Sequence, residues 1–250
     1  MIKFFRTIRQ RLLKENRISK YLLYAVGEIA LVVIGILIAL QINTWNEYRK
    51  ERAEETYLLN RLVIDLNKDI EQLNSHIKTT EERQKQVVRI IQILGNPQPT
   101  DLSEFLQLQS ALGNDNYFIS SRGTYDEGLS SGKLKFIETD SLRELVFEYY
   151  RSISNERDND KLMYKITNEY IVPAFINEIA STKEVIKMEW NADSDLPNLD
   201  LTKLRGNREY YAAVLHATGD SYQIKDWLKY KSIAERLKNS IEQELKNRFP

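Results

Sequence analysis

Residues 21–42, YLLYAVGEIALVVIGILIALQI, form a run of 22 residues with a single charge, that of Glu28. No other feature constrains the fold of this chain as strongly. A helix of that length rises about 33 Å, enough to cross a hydrocarbon layer of roughly 30 Å. Starting the run after Glu28 would leave residues 29–42, too short a stretch to cross. Glu28 is therefore expected within the apolar zone, about a quarter of the way in from the N-terminal side. Tyr21 and Tyr24 at one end, and Trp45 and Tyr48 at the other, suit the two membrane interfaces.

Charge gives the span a direction. Residues 1–20 hold seven bases and one acid, a net +6, while the other 230 residues hold 29 bases and 35 acids, a net −6. Short segments rich in Lys and Arg stay cytoplasmic, so the expected topology is a basic cytoplasmic tail (1–20), a transmembrane helix (21–43) and an extracytoplasmic domain (44–250). A cleaved signal peptide is the competing reading. The apolar run is too long for a typical signal core and no small-x-small cleavage site follows it, which favours an uncleaved anchor. In the tail, Ile2, Phe5, Ile8 and Leu12 share a helical face among basic residues, a pattern suited to lying on an anionic leaflet. A basic tail on an acidic body is the reverse of a nucleic-acid binder's charge pattern, so no nucleic-acid partner is expected.

At ~100° per residue, Gly35 and Ala39 project within about 20° of the direction of Glu28. Gly35-x-x-x-Ala39 is a small-xxx-small pair, which lets another helix approach closely. A carboxylate is costly in lipid and usually faces protein or water. One reading makes Glu28, Gly35 and Ala39 a transmembrane interface with a second copy or a partner membrane protein. The other places Glu28 shallow, protonated or reached by water, with Gly and Ala simply common in spans.

Beyond the span the signal is helical almost throughout. Leu59, Leu62, Leu66, Ile70, Leu73 and Ile77, then Val87, Ile91 and Leu94, recur in steps of three and four. Between residues 78 and 86 this stripe turns polar, with Thr80 and Gln84 at the expected positions. One long helix from the span to about Leu94 is expected, its stripe covered by other helices. GNPQPT (95–100) ends it. Shorter helices are expected over 102–112, with Asp101 and Glu104 as a capping box, and over 124–131, with Gly132 as a left-handed cap. Another should run over 142–170 before Pro173 kinks or breaks it. Residues 181–200 read as a loop, and 202–249 as a last helical region with weak points at Gly206 and Gly219. The fold class is all-α: one transmembrane helix continuing into an antiparallel helical bundle outside the membrane.

Chemistry-bearing residues are sparse. The absence of cysteine removes disulfides, thiolate nucleophiles and Cys-based metal sites. His76 and His216 have no second His at i+3 or i+4, and neither belongs to a Glu-x-x-His pair, so no metal is expected. GLSSGKL (128–134) has three residues between its glycines where a phosphate loop needs four, and Leu134 where a hydroxyl is needed. Ser120, Ser121, Ser130 and Ser131 have no evident base. In each of the pairs Tyr149/Tyr150 and Tyr210/Tyr211, one ring is expected in the core with its hydroxyl at the rim. The mixed-charge residues 47–55 read as a solvated face. No catalytic residue and no cofactor is expected.

GEIALVVIGILIALQINTWNE (27–47) and TYDEGLSSGKLKFIETDSLRELVFEYY (124–150) resemble an uncharacterised bacterial family with one N-terminal membrane anchor. Members read "GE…GILIAL…WNE" in the span, then carry a "Y-x-E-L-x-S-S-G" turn and a "YY" helix. This chain departs at Gly128, where the family usually has a larger helix former. The resemblance implies a bacterial inner-membrane protein with a tethered helical domain of unknown function. It supplies topology and no activity. The expected function is a membrane-anchored interaction or scaffold module, alone or as a homo-oligomer. The alternative is a ligand-sensing bundle acting through a partner membrane protein.

Overall fold

The computed structural model describes residues 18–96, 102–113, 117–154, 164–165, 167–217 and 220–248. The tail face of Ile2, Phe5, Ile8 and Leu12, the cap Asp101 and the weak point Gly219 lie outside these residues. The described chain is all-helical: 87% is helix and none is strand. It divides into two compact units, Met1–Glu55 and Thr56–Pro250. Helix α1, Ile18–Gly95, contributes to both.

In the first unit, between residues 22 and 42, α1 is apolar on all sides apart from Glu28 and is exposed around most of its circumference. Its large apolar side chains between Leu22 and Ile42 range from 46% exposed at Val33 to 79% at Leu23. The most apolar stretch of the helix has a mean hydropathy of 2.5 and no buried residues. Further along, the 47–55 run departs from the expected solvated face. Glu55 is fully buried and accepts from Arg52 at 2.5 Å, because its carboxylate turns inward and takes its cation with it.

In the second unit α1 buries a single stripe. Leu59, Leu62, Leu66 and Leu73 are fully buried, with Ile70 and Ile77 packed against them. Helix α2 (Leu102–Gly113) packs further along α1, while around this stripe gather α3 (Gly123–Ser130), a 3-10 turn (Lys133–Phe136) and α4 (Asp140–Ser154). The long C-terminal helix, here α9, is Asp220–Arg248. Helices α4 and α9 pack antiparallel. Thr139 donates to Glu244 at 2.6 Å, and both carboxylate oxygens of Glu148, further along α4, accept from the Arg236 Nη2, earlier on α9, at 2.8 Å.

The stripe passes through a polar stretch before becoming apolar again at Val87, Ile90 and Leu94. The expectation placed Thr80 and Gln84 there. Thr80 is buried, but Arg83 rather than Gln84 is its buried companion, 5% exposed. Ile90 and Ile93 likewise go deeper than Ile91. Thr80 and Arg83 therefore separate two hydrophobic clusters. One is built on Leu58–Leu73, α4 and α9; the other on Val87–Leu94, α2 and the segments after residue 167.

Those later segments depart most from expectation. Pro173 lies in α5 (Val172–Phe175), between two π-helical turns, Thr167–Ile171 and Ile176–Ala180. A proline has no N–H for the i−4 carbonyl, and the wider i−5 pattern on either side accommodates that loss without ending the helix. Residues 181–200 are not wholly a loop, because α6 (Lys183–Trp190) forms within them. Extended Thr182 starts it and Asn191, left-handed at φ 50°, ends it. Glu184 in its first turn accepts from the Leu199 N–H, folding the remaining stretch back over the helix. Helix α7 (Leu201–Gly206) is capped by Asp200, which accepts from the N–H groups of Thr202 and Lys203, and α8 (Arg208–Ala217) follows Gly206. Arg205 closes the other end of the long helix. Its guanidinium donates to the Leu94 carbonyl at 2.7 Å and to those of Ile93 and Asn96, meeting the orphan carbonyls of the α1 C-terminus.

The stripe sets the stability of this unit. Leu66→Ala, at a fully buried position, is expected to cost about 2–5 kcal/mol. Ile64→Ala, on the exposed face of the same helix, should stay within about 0.5 kcal/mol. Denaturant unfolding of the full chain in detergent micelles measures both.

Candidate functional site

The residues singled out in the span, Glu28, Gly35 and Ala39, all lie on α1. Glu28 is half-buried; Gly35 and Ala39 are exposed. A Cβ added at Gly35 would meet nothing within 4 Å, so the chain itself does not require a glycine there.

The densest polar chemistry lies elsewhere, on Asp69, which sequence reasoning did not single out. Asp69 is 1% exposed. Its carboxylate accepts from the Ser120 hydroxyl at 2.6 Å, the Ser121 N–H at 2.7 Å and the Tyr149 hydroxyl at 2.7 Å. One turn earlier, Asp65 accepts from the Thr124 N–H at 3.3 Å, and one turn before that Arg61 pairs with Glu127 at 2.6 Å. The segment 120–127 thus runs antiparallel along α1, fastened at four-residue intervals. Gly128 allows the final approach: a Cβ there would stand 3.1 Å from Leu134 and 3.3 Å from Leu58. The larger helix former expected from the resemblance would not fit without displacing one of them. Gly132, with φ 71°, is the left-handed cap anticipated for this segment.

Both tyrosines of the 149/150 pair are buried, where one ring was expected in the core with its hydroxyl at the rim. Tyr149 enters because Asp69 takes its hydroxyl. Tyr150 enters stacked on Tyr125 with ring centres 4.2 Å apart, its hydroxyl 3.5 Å from the Ser121 carbonyl. The Arg122 guanidinium lies over both of those rings, at 5.6 and 5.9 Å. In the second pair Tyr210 is the buried member and Tyr211 is half-buried, but the Tyr210 hydroxyl donates to buried Gln109 rather than reaching the rim. Burial, then the charge of Asp69, pushes the Tyr149 hydroxyl well above its ordinary range, and Tyr150 is raised for the same reasons. Tyr210 is raised by burial.

Chemically this arrangement is a clamp. With three donors on Asp69, little lone-pair capacity remains for a base or a nucleophile's partner. Ser130 and Ser131 turn their hydroxyls back onto the Glu127 carbonyl. His76 lies beside Trp227, ring centres 5.5 Å apart, and burial lowers its pKa against a hydrogen bond with the Tyr117 backbone. Among the described residues no three His, Cys, Asp or Glu side chains converge in a way that could hold a metal ion. A polar cavity of about 100 Å³ lies between the π-helical turns and α8, lined by Glu169, Asn177, Glu178, Asn207 and Glu209. Its best-placed carboxylate, Glu178, already holds Asn207 at 3.1 Å and Lys203 at 3.2 Å.

The clamp makes two measurable statements. Tyr149→Phe leaves Asp69 one donor short and should cost about 1–3 kcal/mol; Asp69→Asn, which points N–H groups at donors, should cost more. In the unfolded chain Tyr149, Tyr150 and Tyr210 ionise near pH 10, while the fold keeps them neutral. Their contribution is complete below pH 10 and is lost as pH rises beyond it. Each contributes a slope of about 1.4 kcal/mol per pH unit, so Tyr149→Phe should flatten the alkaline limb by one such slope. His76 has the opposite sign. Its folded pKa is depressed, so its contribution holds above about pH 6.5 and fades as pH falls, because the unfolded chain takes up the proton first. Stability of His76→Gln measured between pH 7.5 and 5 should lack that component.

No curated protein and no solved structure matches the chain. One family model does, over residues 28–204, from the carboxylate in the apolar run through the Asp69 clamp and into the second cluster as far as Leu204. That match covers well over half of the 250 residues. The chain belongs to DUF6090, a family of unknown function.

Proposed function

We propose that this chain is a single-pass membrane protein of the bacterial inner membrane. In this reading the basic tail stays in the cytoplasm, and residues 44–250 form a helical bundle outside it that serves as an interaction or scaffold module. The observation that carries the reading is the exposure of the apolar face of α1 on every side between Leu22 and Ile42. Soluble monomers rarely expose contiguous apolar surface beyond a few hundred Å², and an apolar cylinder broken only by Glu28 calls for lipid around it. The net +6 of residues 1–20 supports the inward direction of the N-terminus. Bacterial origin comes from the resemblance.

Scaffolding is favoured over sensing by the polar groups of the body. Asp69 is satisfied internally, and the cavity of about 100 Å³ beside Glu178 is below the roughly 300 Å³ of small-molecule sites. The larger hollow of about 520 Å³ along Glu81, Lys85 and Arg89 is an open helix surface rather than an enclosed site. Within the membrane, Glu28, Gly35 and Ala39 offer one face for a second copy or a partner span, with the small residues admitting close approach and the carboxylate meeting a polar group across it.

Two measurements test the proposal. Alkaline phosphatase fused after Pro250 should be active in living cells and a cytoplasm-restricted fluorescent reporter at the same point dark; the reverse pattern would overturn the topology. Purification in mild detergent should show the full chain in a larger assembly that Glu28→Ala reduces. An assembly unchanged in size and composition would remove the span interface.

A further inference from the structure

The end of the apolar run carries a second arrangement, built from aromatic rings and arginines one turn apart. The Arg49 guanidinium lies over the Trp45 ring, 5.5 Å from its centre, and the Arg52 guanidinium lies over Tyr48 at 5.1 Å. Trp45 is 62% exposed and Arg49 is exposed as well. The two arginines differ in their anions. Arg52 is committed to buried Glu55, whereas among the described residues Arg49 has the indole ring and no carboxylate within ion-pair distance. Nearby Glu47 accepts from the Asn43 amide. Lys50, beside Arg49, is exposed too.

We infer that Arg49, held over Trp45, is a docking point for the phosphate of an anionic phospholipid headgroup in the leaflet at the C-terminal end of the span. This rests on the membrane reading above. The register supports it. Trp45 stands three residues past Ile42, about 4.5 Å along the axis, within the roughly 5–7 Å of headgroup region on each side of the hydrocarbon. Arg49 originates about 6 Å beyond Trp45, but helical side chains lean toward the N-terminus, and its position over the indole shows the guanidinium drawn back toward the depth of that ring. The guanidinium carbon lies over the ring face, and the arginine is exposed. Its N–H edge stays available, and that edge matches phosphate oxygens in pairs. Holding the cation on the ring also removes rotamer freedom before a lipid arrives, which a solitary exposed arginine would not do. Lys50 adds charge without that geometry.

The test uses the full chain with Trp190→Phe, reconstituted in phosphatidylcholine vesicles containing brominated phosphatidylglycerol or brominated phosphatidylcholine. Trp227 is fully buried in the second unit and gives a constant background, so quenching reports lipid beside Trp45. Phosphatidylglycerol should be favoured at Trp45 by roughly fivefold, the enrichment one basic residue supports at an anionic surface. Arg49→Gln should bring the two lipids to parity while the protein still floats with the vesicles. Flotation with no preference in the starting protein, or a preference unchanged in Arg49→Gln, would overturn the headgroup site and leave the span standing. A protein that fails to float would overturn both.

Discussion

The second unit depends on a carboxylate that water does not reach. Removing Asp69 from solvent carries a cost of several kcal/mol unless its oxygens are satisfied, and the structure meets that cost with donors from two places far apart in sequence. Ser120 and Ser121 come from the connection ahead of α3, and Tyr149 from the middle of α4. A single atom group on α1 therefore specifies where a loop and a helix both sit. Hydrophobic burial would hold α4 somewhere against the leucine stripe, but it is non-directional. The Asp69–Tyr149 bond selects one rotation of α4 about its axis, and that rotation brings Tyr150 onto Tyr125 and turns Glu148 toward Arg236.

Arg83 and Thr80 apply the same logic further along the helix. An uninterrupted apolar stripe from Leu59 to Leu94 would let packing elements slide by a turn in either direction, since each heptad would resemble the next. Placing a threonine and an arginine in buried positions between the two clusters breaks that degeneracy, much as a polar residue in a coiled-coil core sets register. Arg205 fixes the far end by meeting the last carbonyls of α1. The helix is thereby fixed at Asp69 and at its Leu94 end by hydrogen bonds to particular partners, with Thr80 and Arg83 interrupting the apolar stripe between them.

Periodicity made the long elements legible. The three-four spacing from Leu59, the glycine and prolines after Leu94, and Gly132 as a left-handed cap are local signals, and each corresponds to an observed feature or boundary. Asp69 was not legible, because an aspartate on the edge of a leucine stripe looks like any solvent-facing acid until Ser120, Ser121 and Tyr149 are brought to it across 51, 52 and 80 residues. The tyrosine pair was misjudged for the same reason: the rule that a hydroxyl stays at the rim assumes no buried acceptor. Helix α6 was missed because its boundaries depend on an extended Thr182, a left-handed Asn191 and a bond from Leu199 to Glu184, none of which raises the helical periodicity of eight residues. The π-helical turns around Pro173 are a backbone response to a missing donor, and sequence marks the proline without marking the response.

Helix α1 obeys two different rules of composition, and the contrast bears on what surrounds it. Between residues 58 and 94 it is apolar along one stripe and charged elsewhere, the pattern of a helix with protein on one side and water on the other. Between residues 22 and 42 it is apolar in every direction, with no protein against it in this chain. A helix apolar all round must be enclosed, by a core or by lipid. Leu23, Val26, Ile29 and Leu31 are exposed, so among the described residues none encloses this stretch. A soluble partner could cover one face, and Gly35 and Ala39 suit such a contact, but not the whole circumference. In the proposed reading lipid covers all of it, and the aromatic-arginine pairing at residues 45 and 49 falls at a boundary between two solvents.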